Sequence, residues 1–274
     1  MDHYSVLMSV YYREDPVFFS QAIQSMMDQT VVTNDFVLVC DGPLTEELDS
    51  VIDYFDKQYP GIFNIIRLGE NVGIGAAVNA GLHQCKNDLV AKMDADDVSV
   101  PDRCEKQLRL FENNPMLTVA GGYIEEFDRA LDAPVSIREV PTDNEGIRKF
   151  ARRRQPFNNV TVMYRRNAVL NVGGYRSLGR CEDYDLYVRL LNAGYYAENL
   201  AEVLVKARAG QKGLSRRASF ATLKGVIQSR RNALKMGFIS FGDFLICCVG
   251  ELVIVICPGF VRKFIYNTFL RKMC

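Results

Sequence analysis

Three carboxylates crowd into four residues at Asp94, Asp96 and Asp97, within LVAKMDADDVSVPDR (Leu89–Arg103). The apolar run LVAKM places them at the end of a buried strand, where like charges repel strongly. A divalent cation would remove that penalty. D-x-D offers the hard oxygen ligands that suit Mg2+ or Mn2+, and such ions take one or two protein carboxylates and share their other positions with water and substrate phosphates. A solvated acidic loop, with Asp97 capping the next turn, is the alternative. A second cluster, RCEDYDLYVRL (Arg180–Leu190), sets Glu182, Asp183 and Asp185 at a helix start. Acids there complement the helix dipole. A transferase attacking with a hydroxyl also needs a carboxylate to accept that hydroxyl's proton. Another acid, Asp41, ends the apolar run DFVLVC just before the turn signal Gly42-Pro43.

The elements that position these groups alternate regularly. YSVLMSV (Tyr4–Val10), DFVLVC (Asp35–Cys40), IFNIIRL (Ile62–Leu68) and DLVAKM (Asp88–Met93) read as strands. Helical patterns lie between them: from Asp15-Pro16 to about Gln29, from Thr45 to before Pro60, and through NVGIGAAVNAGLHQC (Asn71–Cys85) after a glycine-rich turn. This alternation predicts an α/β fold with a mostly parallel central sheet and helices on both faces. Ligands of such sheets bind beyond the carboxyl ends of the strands, so Asp41 and the Asp94–Asp97 cluster can share one crevice. The glycines at Gly73 and Gly75 approach a dinucleotide fingerprint, but Val78 stands where its third glycine belongs and the motif follows the third strand, not the first. The second half is less regular. A helix begins near Pro101, LTVAGGYIEEF is a strand with a glycine break, EGIRKFARRR is a basic helix, and Val160–Tyr164 reads as a strand. CEDYDLYVRLLNAG is a helix ended by Gly194, EVLVKARAG a strand, and the chain is helical from Ser215 onward.

With 274 residues and 48% apolar content the chain can bury a sizeable core. Lys plus Arg equals Asp plus Glu, at 33 each, so net charge points to no nucleic-acid partner. Eight scattered cysteines without a C-x-x-C argue for reduced thiols and against a structural zinc site. Asp2 and the lack of a basic leader argue against a secretory signal, which suits a cytoplasmic protein. The run FLICCVGELVIVIC (Phe244–Cys257) is short for a membrane span and carries Glu251. With the aromatic and basic residues that follow, it suits a helix lying on the membrane's inner face, with packing on the protein's own core as the alternative. D-x-D after a strand also opens haloacid-dehalogenase-type phosphatases, in which Asp94 would be the nucleophile. Lys92 late in the strand and three preceding βα units fit that reading poorly.

SVYYRED (Ser9–Asp15), QSMMDQT (Gln24–Thr30), VLVCDGP (Val37–Pro43) and RLGENVGIGAAVNAGL (Arg67–Leu82), with DLVAKMDADDVSVPDR, QPFNNVTVMYRR (Gln155–Arg166), GGYR (Gly173–Arg176) and CEDYDLYVRL, extend along nearly the whole chain. On these motifs it resembles family 2 glycosyltransferases of the GT-A fold, of the kind that build bacterial surface polysaccharides. The resemblance implies a donor half over residues 1–98, an acceptor half over 99–214 and a helical, membrane-associated tail over 215–274. Asp41 would bind the nucleobase with Ser9, Val10 and Tyr11, and Asn71, Gly73 and Ala95 would line the same nucleotide-sugar side. Asp94 would lie near ribose and metal, Asp96 would ligate Mn2+ or Mg2+, and Asp183, paired with Glu182, would be the general base of an inverting transfer. Phe157, Asn158 and Asn159 would face a saccharide or lipid-linked saccharide acceptor. Ala76-Ala77 stands where some relatives carry a basic residue, so Arg208, Lys212, Arg216 or Arg217 would meet the diphosphate of the UDP-sugar instead. A non-catalytic, membrane-associated nucleotide-binding partner would keep the fold without the turnover.

Overall fold

The computed structural model describes residues 3–127, 134–179, 181–208, 220–257 and 272–273. Its first strands are β1 (Tyr4–Val10), β2 (Asp35–Cys40), β3 (Phe63–Arg67) and β4 (Leu89–Asp94), linked by α1 (Pro16–Met27), α2 (Glu46–Gln58) and α3 (Ile74–Gln84). The strands lie in the order β3-β2-β1-β4, every neighbour parallel. Local chemistry explains the boundaries. Asp15 caps α1 by accepting from the amides of Val17 and Phe18, with Pro16 at the first helical position. Thr45 caps α2, whose buried Leu48, Ile52 and Phe55 recur at helical spacing.

The alternation of side chains along each strand feeds two cores. Val6, Met8 and Val10 of β1 face one core with Phe36 and Leu38, packed by Phe19 of α1, Phe55 of α2 and Leu108 of α4 (Arg103–Asn113). Leu7, Val37 and Val39 face the other, packed by Ala77 and Leu82 of α3. Ile147 of α5 (Asn144–Ala151) and Leu186 of α7 (Glu182–Asn192) complete that second layer.

Beyond β4 the sheet becomes mixed. The short β5 (Val98–Ser99) pairs antiparallel with β9 (Tyr196–Arg208). β6 (Leu117–Phe127) runs parallel to β9 and antiparallel to β7 (Pro134–Arg138). β8 (Met163–Arg165) lies antiparallel between β4 and β6, and α6 (Arg166–Asn171) follows it. The expected strand at Val160–Tyr164 is therefore shorter and later. A 3-10 turn occupies Asn159–Thr161, because the Asn158 carbonyl accepts from both the amide and the hydroxyl of Thr161. The glycine break expected in β6 is a register shift against β9 after Gly122. A Cβ on Gly121 would sit 2.3 Å from Asn199 Oδ1, and one on Gly122 2.5 Å from Leu204 Cδ1, so the glycines admit β9.

The C-terminal helices are α8 (Phe220–Lys235) and α9 (Phe241–Ile256), and β10 (Lys272–Met273) pairs with β7. Ala233 and Ile239 pack on Tyr184 and Val188 of α7. Ser240 and Asp243 form a capping box at the start of α9. Among the described residues no helix is long and apolar enough to cross a membrane.

Candidate active site

A cavity of about 260 Å3 opens at the carboxyl ends of β1, β2 and β4. Its walls include Ser9, Val10 and Tyr11 from the end of β1, Asp41 after β2, Asn71 and Gly73 before α3, and Asp94, Ala95 and Asp96 from the end of β4. The topology thus gathers these predicted residues from four separate segments. Glu14 and Ile74, which the motifs did not single out, also line it.

Asp41 is buried, and both its carboxylate oxygens accept backbone amides: Val72 N at 2.7 Å and Gly73 N at 3.1 Å. Asn71 Nδ2 donates back to the Asp41 carbonyl at 3.1 Å. Asp41 therefore shapes the glycine-rich turn as well as facing the cavity. Gly42 permits this approach, since its φ is +88° and a Cβ there would lie 2.8 Å from Asn71 N.

The three carboxylates of the β4 end differ sharply. Asp94 is partly exposed, and Lys92 Nζ donates to its Oδ1 at 2.5 Å. Lys92 is itself buried. Burial alone would lower its pKa, but the charges of Asp94 and Asp183 outweigh that and raise it. Asp97 is buried, and its Oδ1 accepts Arg208 N at 2.8 Å. Burial and then the charges of Asp96 and Asp94 hold its carboxyl well above the usual range. Arg208, expected to meet a diphosphate, instead braces this loop: its Nε donates to the Asp96 carbonyl at 2.7 Å, and its guanidinium stacks 3.8 Å from the Phe18 ring centroid. Lys212, Arg216 and Arg217 lie outside the described residues.

The acids of α7 also separate by role. Burial pushes the Asp183 carboxyl up to about 7, with Asp94 and Glu182 adding to the rise and Lys92 opposing it. Glu182 lies against the first turn of α3, its Cγ 3.2 Å from where a Gly75 Cβ would stand. Asp185 is fully committed, accepting Arg189 Nε at 2.7 Å and Asn232 Nδ2 at 3.2 Å. Arg189 in turn donates to the carbonyls of Val172 and Gly174. Asn79 of α3 then pairs with both backbone groups of Tyr175, at 2.7 and 2.8 Å. These contacts tie α7 to the turn before it and that turn to α3, while Glu182 and Asp183 themselves are not among the residues lining the cavity. The sequence reading passed over Asn79 and used Lys92 only against the phosphatase. The available signal for Lys92 was a lysine inside an apolar strand, two positions before an acid and hence on its face.

Two of the expected acceptor-side residues are corrected by burial. Phe157 is sealed in the core against the Tyr187 ring, and Asn158 Nδ2 donates to the carbonyls of Gly122 and Arg138. Their side chains are out of an acceptor's reach. Asn159 is only partly buried and accepts the Tyr187 hydroxyl at 2.7 Å.

Among the described residues no three His, Cys, Asp or Glu side chains form a ready-made cation cage. Asp94 and Asp96 on the cavity wall are hard oxygen donors, and that pair suits a cation completed by substrate phosphates. The donor set fits Mg2+ or Mn2+ held together with a diphosphate.

The comparisons bear on the family and the fold. The chain is 38% identical over 269 residues to an uncharacterized glycosyltransferase of Haemophilus influenzae, covering 98% of this chain and 99% of that one. It is 32% identical to the UDP-Gal:alpha-D-GlcNAc-diphosphoundecaprenol beta-1,3-galactosyltransferase of Escherichia coli, covering 98% and 97% of the two chains. The fold matches a mannosyltransferase of Pyrobaculum calidifontis solved with GDP-Man and Mn2+, at TM-score 0.67 and 15% identity over 96% of this chain and 72% of that one. The model of glycosyl transferase family 2 matches residues 5–179, and the chain belongs to that family, not to the dehalogenase-type phosphatases.

Proposed function

We propose that this chain is a metal-dependent, inverting glycosyltransferase that moves a sugar from a UDP-sugar to a saccharide carried on a lipid diphosphate, in surface-polysaccharide assembly at the inner face of the cell membrane. The observation that carries the reading is the cavity at the strand ends, where Asp94 and Asp96 stand beside Ser9, Val10, Tyr11 and Asp41; Asp183, whose carboxyl burial raises to about 7, is the base it is paired with. A carboxylate near the working pH is suited to general-base work. The substrate class is supported by the Escherichia coli relative, and the metal by the neighbour solved with Mn2+.

In this reading residues 1–98 hold the donor, residues 99–214 serve the acceptor and the tail follows from 215. Ser9, Val10, Tyr11 and Asp41 take the nucleobase, and Asn71, Gly73 and Ala95 complete the nucleotide side. Asp96 and Asp94 would hold the cation, which when bound neutralises charge on the departing diphosphate. Asp183 takes the proton from the acceptor hydroxyl as its oxygen bonds to the anomeric carbon. The bond from that carbon to the diphosphate oxygen breaks in the same displacement, so the configuration inverts. Glu182 keeps negative charge beside the base, and Asn159 presents the acceptor side. Arg216 would meet the diphosphate from outside the described residues.

The test is UDP release from a panel of UDP-sugars, with and without Mn2+, using a synthetic lipid-diphosphate N-acetylglucosamine acceptor. Metal-dependent, acceptor-stimulated release that disappears in Asp183→Asn is expected. UDP binding without turnover on every donor would instead favour a non-catalytic partner. Turnover that survives Asp183→Asn would remove the assigned base.

A further inference from the structure

The site chemistry leaves the outer surface of the α8–α9 hairpin unused. On α9, Phe241, Leu245, Val249, Leu252, Val253 and Ile256 are between 41% and 69% exposed. At about 100° per residue they share one arc of about 120°, and no charged residue falls within it. The acids of α9, Asp243 and Glu251, lie on other faces. Asp243 is buried in ion pairs with Arg152 and Arg153, at 3.1 and 2.6 Å. Phe244 packs toward Ala233 and Tyr184. The helix is thus clamped by one side and presents a purely apolar other side.

A second observation concerns charge. A groove of about 550 Å3 runs along α8, lined by Lys224, Arg231 and Lys235 with Leu223 and Ile227 between them. No acid is among its described lining residues. The N-terminal part of α8 also touches the segment leading into Glu182 and Asp183. A Cβ on Gly225 would sit 2.3 Å from the Leu178 carbonyl and 3.3 Å from Cys181 Sγ.

We propose that the α8–α9 hairpin docks the protein on an anionic phospholipid surface, with the apolar arc of α9 in the acyl boundary and Lys224, Arg231 and Lys235 on lipid phosphates. The proposal rests on the reading of a lipid-linked acceptor and adds the surface that meets the membrane. A helix of 16 residues is about 24 Å long and cannot span a bilayer core of about 30 Å, so it lies in the plane of the interface. Contiguous exposed apolar surface of this kind marks an interaction site. The occupant follows from charge: cations without acids match lipid phosphate. A second copy meeting this hairpin about a two-fold axis would set cation against cation. Docking by this hairpin would bring the membrane to the side of α7, where a lipid-carried hydroxyl has to reach Asp183.

The test is co-sedimentation of the full chain with vesicles of phosphatidylglycerol mixed with phosphatidylcholine, and with phosphatidylcholine alone. Binding should prefer the anionic vesicles. The triple variant Lys224→Gln, Arg231→Gln, Lys235→Gln should partition on the order of 100-fold less and lose that preference. The double variant Val249→Glu, Leu252→Glu should also lose at least about tenfold. UDP affinity in the presence of Mn2+ should stay unchanged in both variants, which checks their fold. Absence of vesicle binding by the full chain, or undiminished binding by both variants, would overturn the proposal. So would a dimer in sedimentation velocity that Val249→Glu, Leu252→Glu abolishes, since the face would then belong to a second copy. Turnover with a short water-soluble acceptor analogue depends on the transferase reading alone, so its failure is distinct from a failure of docking.

Discussion

Asp183 and Lys92 form the most consequential pair of side chains. A carboxyl raised to about 7 by burial is a usable base only above that pH, so kcat/KM should climb through about pH 7 and then level off. The Asp183→Asn variant should lose at least about 10³-fold in kcat, measured as UDP release. The same substitution should stabilise the fold. A carboxyl whose folded pKa lies above its unfolded value loses stability as pH rises from about 4 to about 7, because the folded state holds the proton longer. Asn carries no such penalty, so its unfolding free energy from urea denaturation should rise at pH 8 but not at pH 4, by about 2 kcal/mol after solvent screening. Lys92→Met removes the positive charge that opposes the rise, and the limb of the pH profile should move up by about one unit.

At the level of elements, the contacts between α3, the Gly173–Tyr175 turn and α7 decide where the base sits. Gly174 has φ +62°, and a Cβ there would lie 2.5 Å from Asn79 Oδ1. Gly174→Ala should cost about 1–3 kcal/mol in urea denaturation. Turnover should fall further than the stability loss requires, because α7 shifts relative to the cavity. The start of α9 is a second such joint. Burial pushes the Asp243 carboxyl up, but the hydrogen bonds from Arg153 and Ser240 outweigh it and hold it down to about 2. Its contribution is therefore present above about pH 4 and lost as pH falls toward 2. Asp243→Ala should lower hydrogen-exchange protection across α9 at pH 7 while leaving the amides of β1, β2 and β4 protected.

Across the whole molecule, the acids that matter come from opposite halves of the chain. Asp94 and Asp96 end the fourth strand, and Asp183 begins a helix almost ninety residues later. Lys92 lies electrostatically between them, in contact with Asp94 and close enough to Asp183 to shift it. The cavity walls come from residues 9–96, whereas the assigned base stands at residue 183, so a complete site needs both halves. Separate expression of residues 1–98 should give no acceptor-dependent UDP release, where the full chain turns over. The mixed second half of the sheet serves the same end. β8 returns antiparallel beside β4 and carries the chain from the buried Phe157–Asn158 segment toward α7.

The amino-acid sequence by itself determined the parallel β3-β2-β1-β4 core and the strand ends where Asp41 and Asp94 stand. Those features follow from local physics: apolar runs of strand length, capping residues and turn glycines act over a few neighbouring residues. Ser9, Val10, Tyr11, Asn71, Gly73 and Ala95 were legible through the motifs that carry the family resemblance, whereas Glu14 and Ile74, on the same cavity wall, were not. Tertiary structure alone decided which acids are available. Asp97 and Asp185 look equivalent to their neighbours in the sequence, yet the first is tied to Arg208 N and the second to Arg189 and Asn232. It likewise decided that Phe157 and Asn158 are interior and that α9 keeps an apolar face exposed. Burial and partner choice depend on segments far apart in the chain, and no local pattern encodes which of several like residues will meet them.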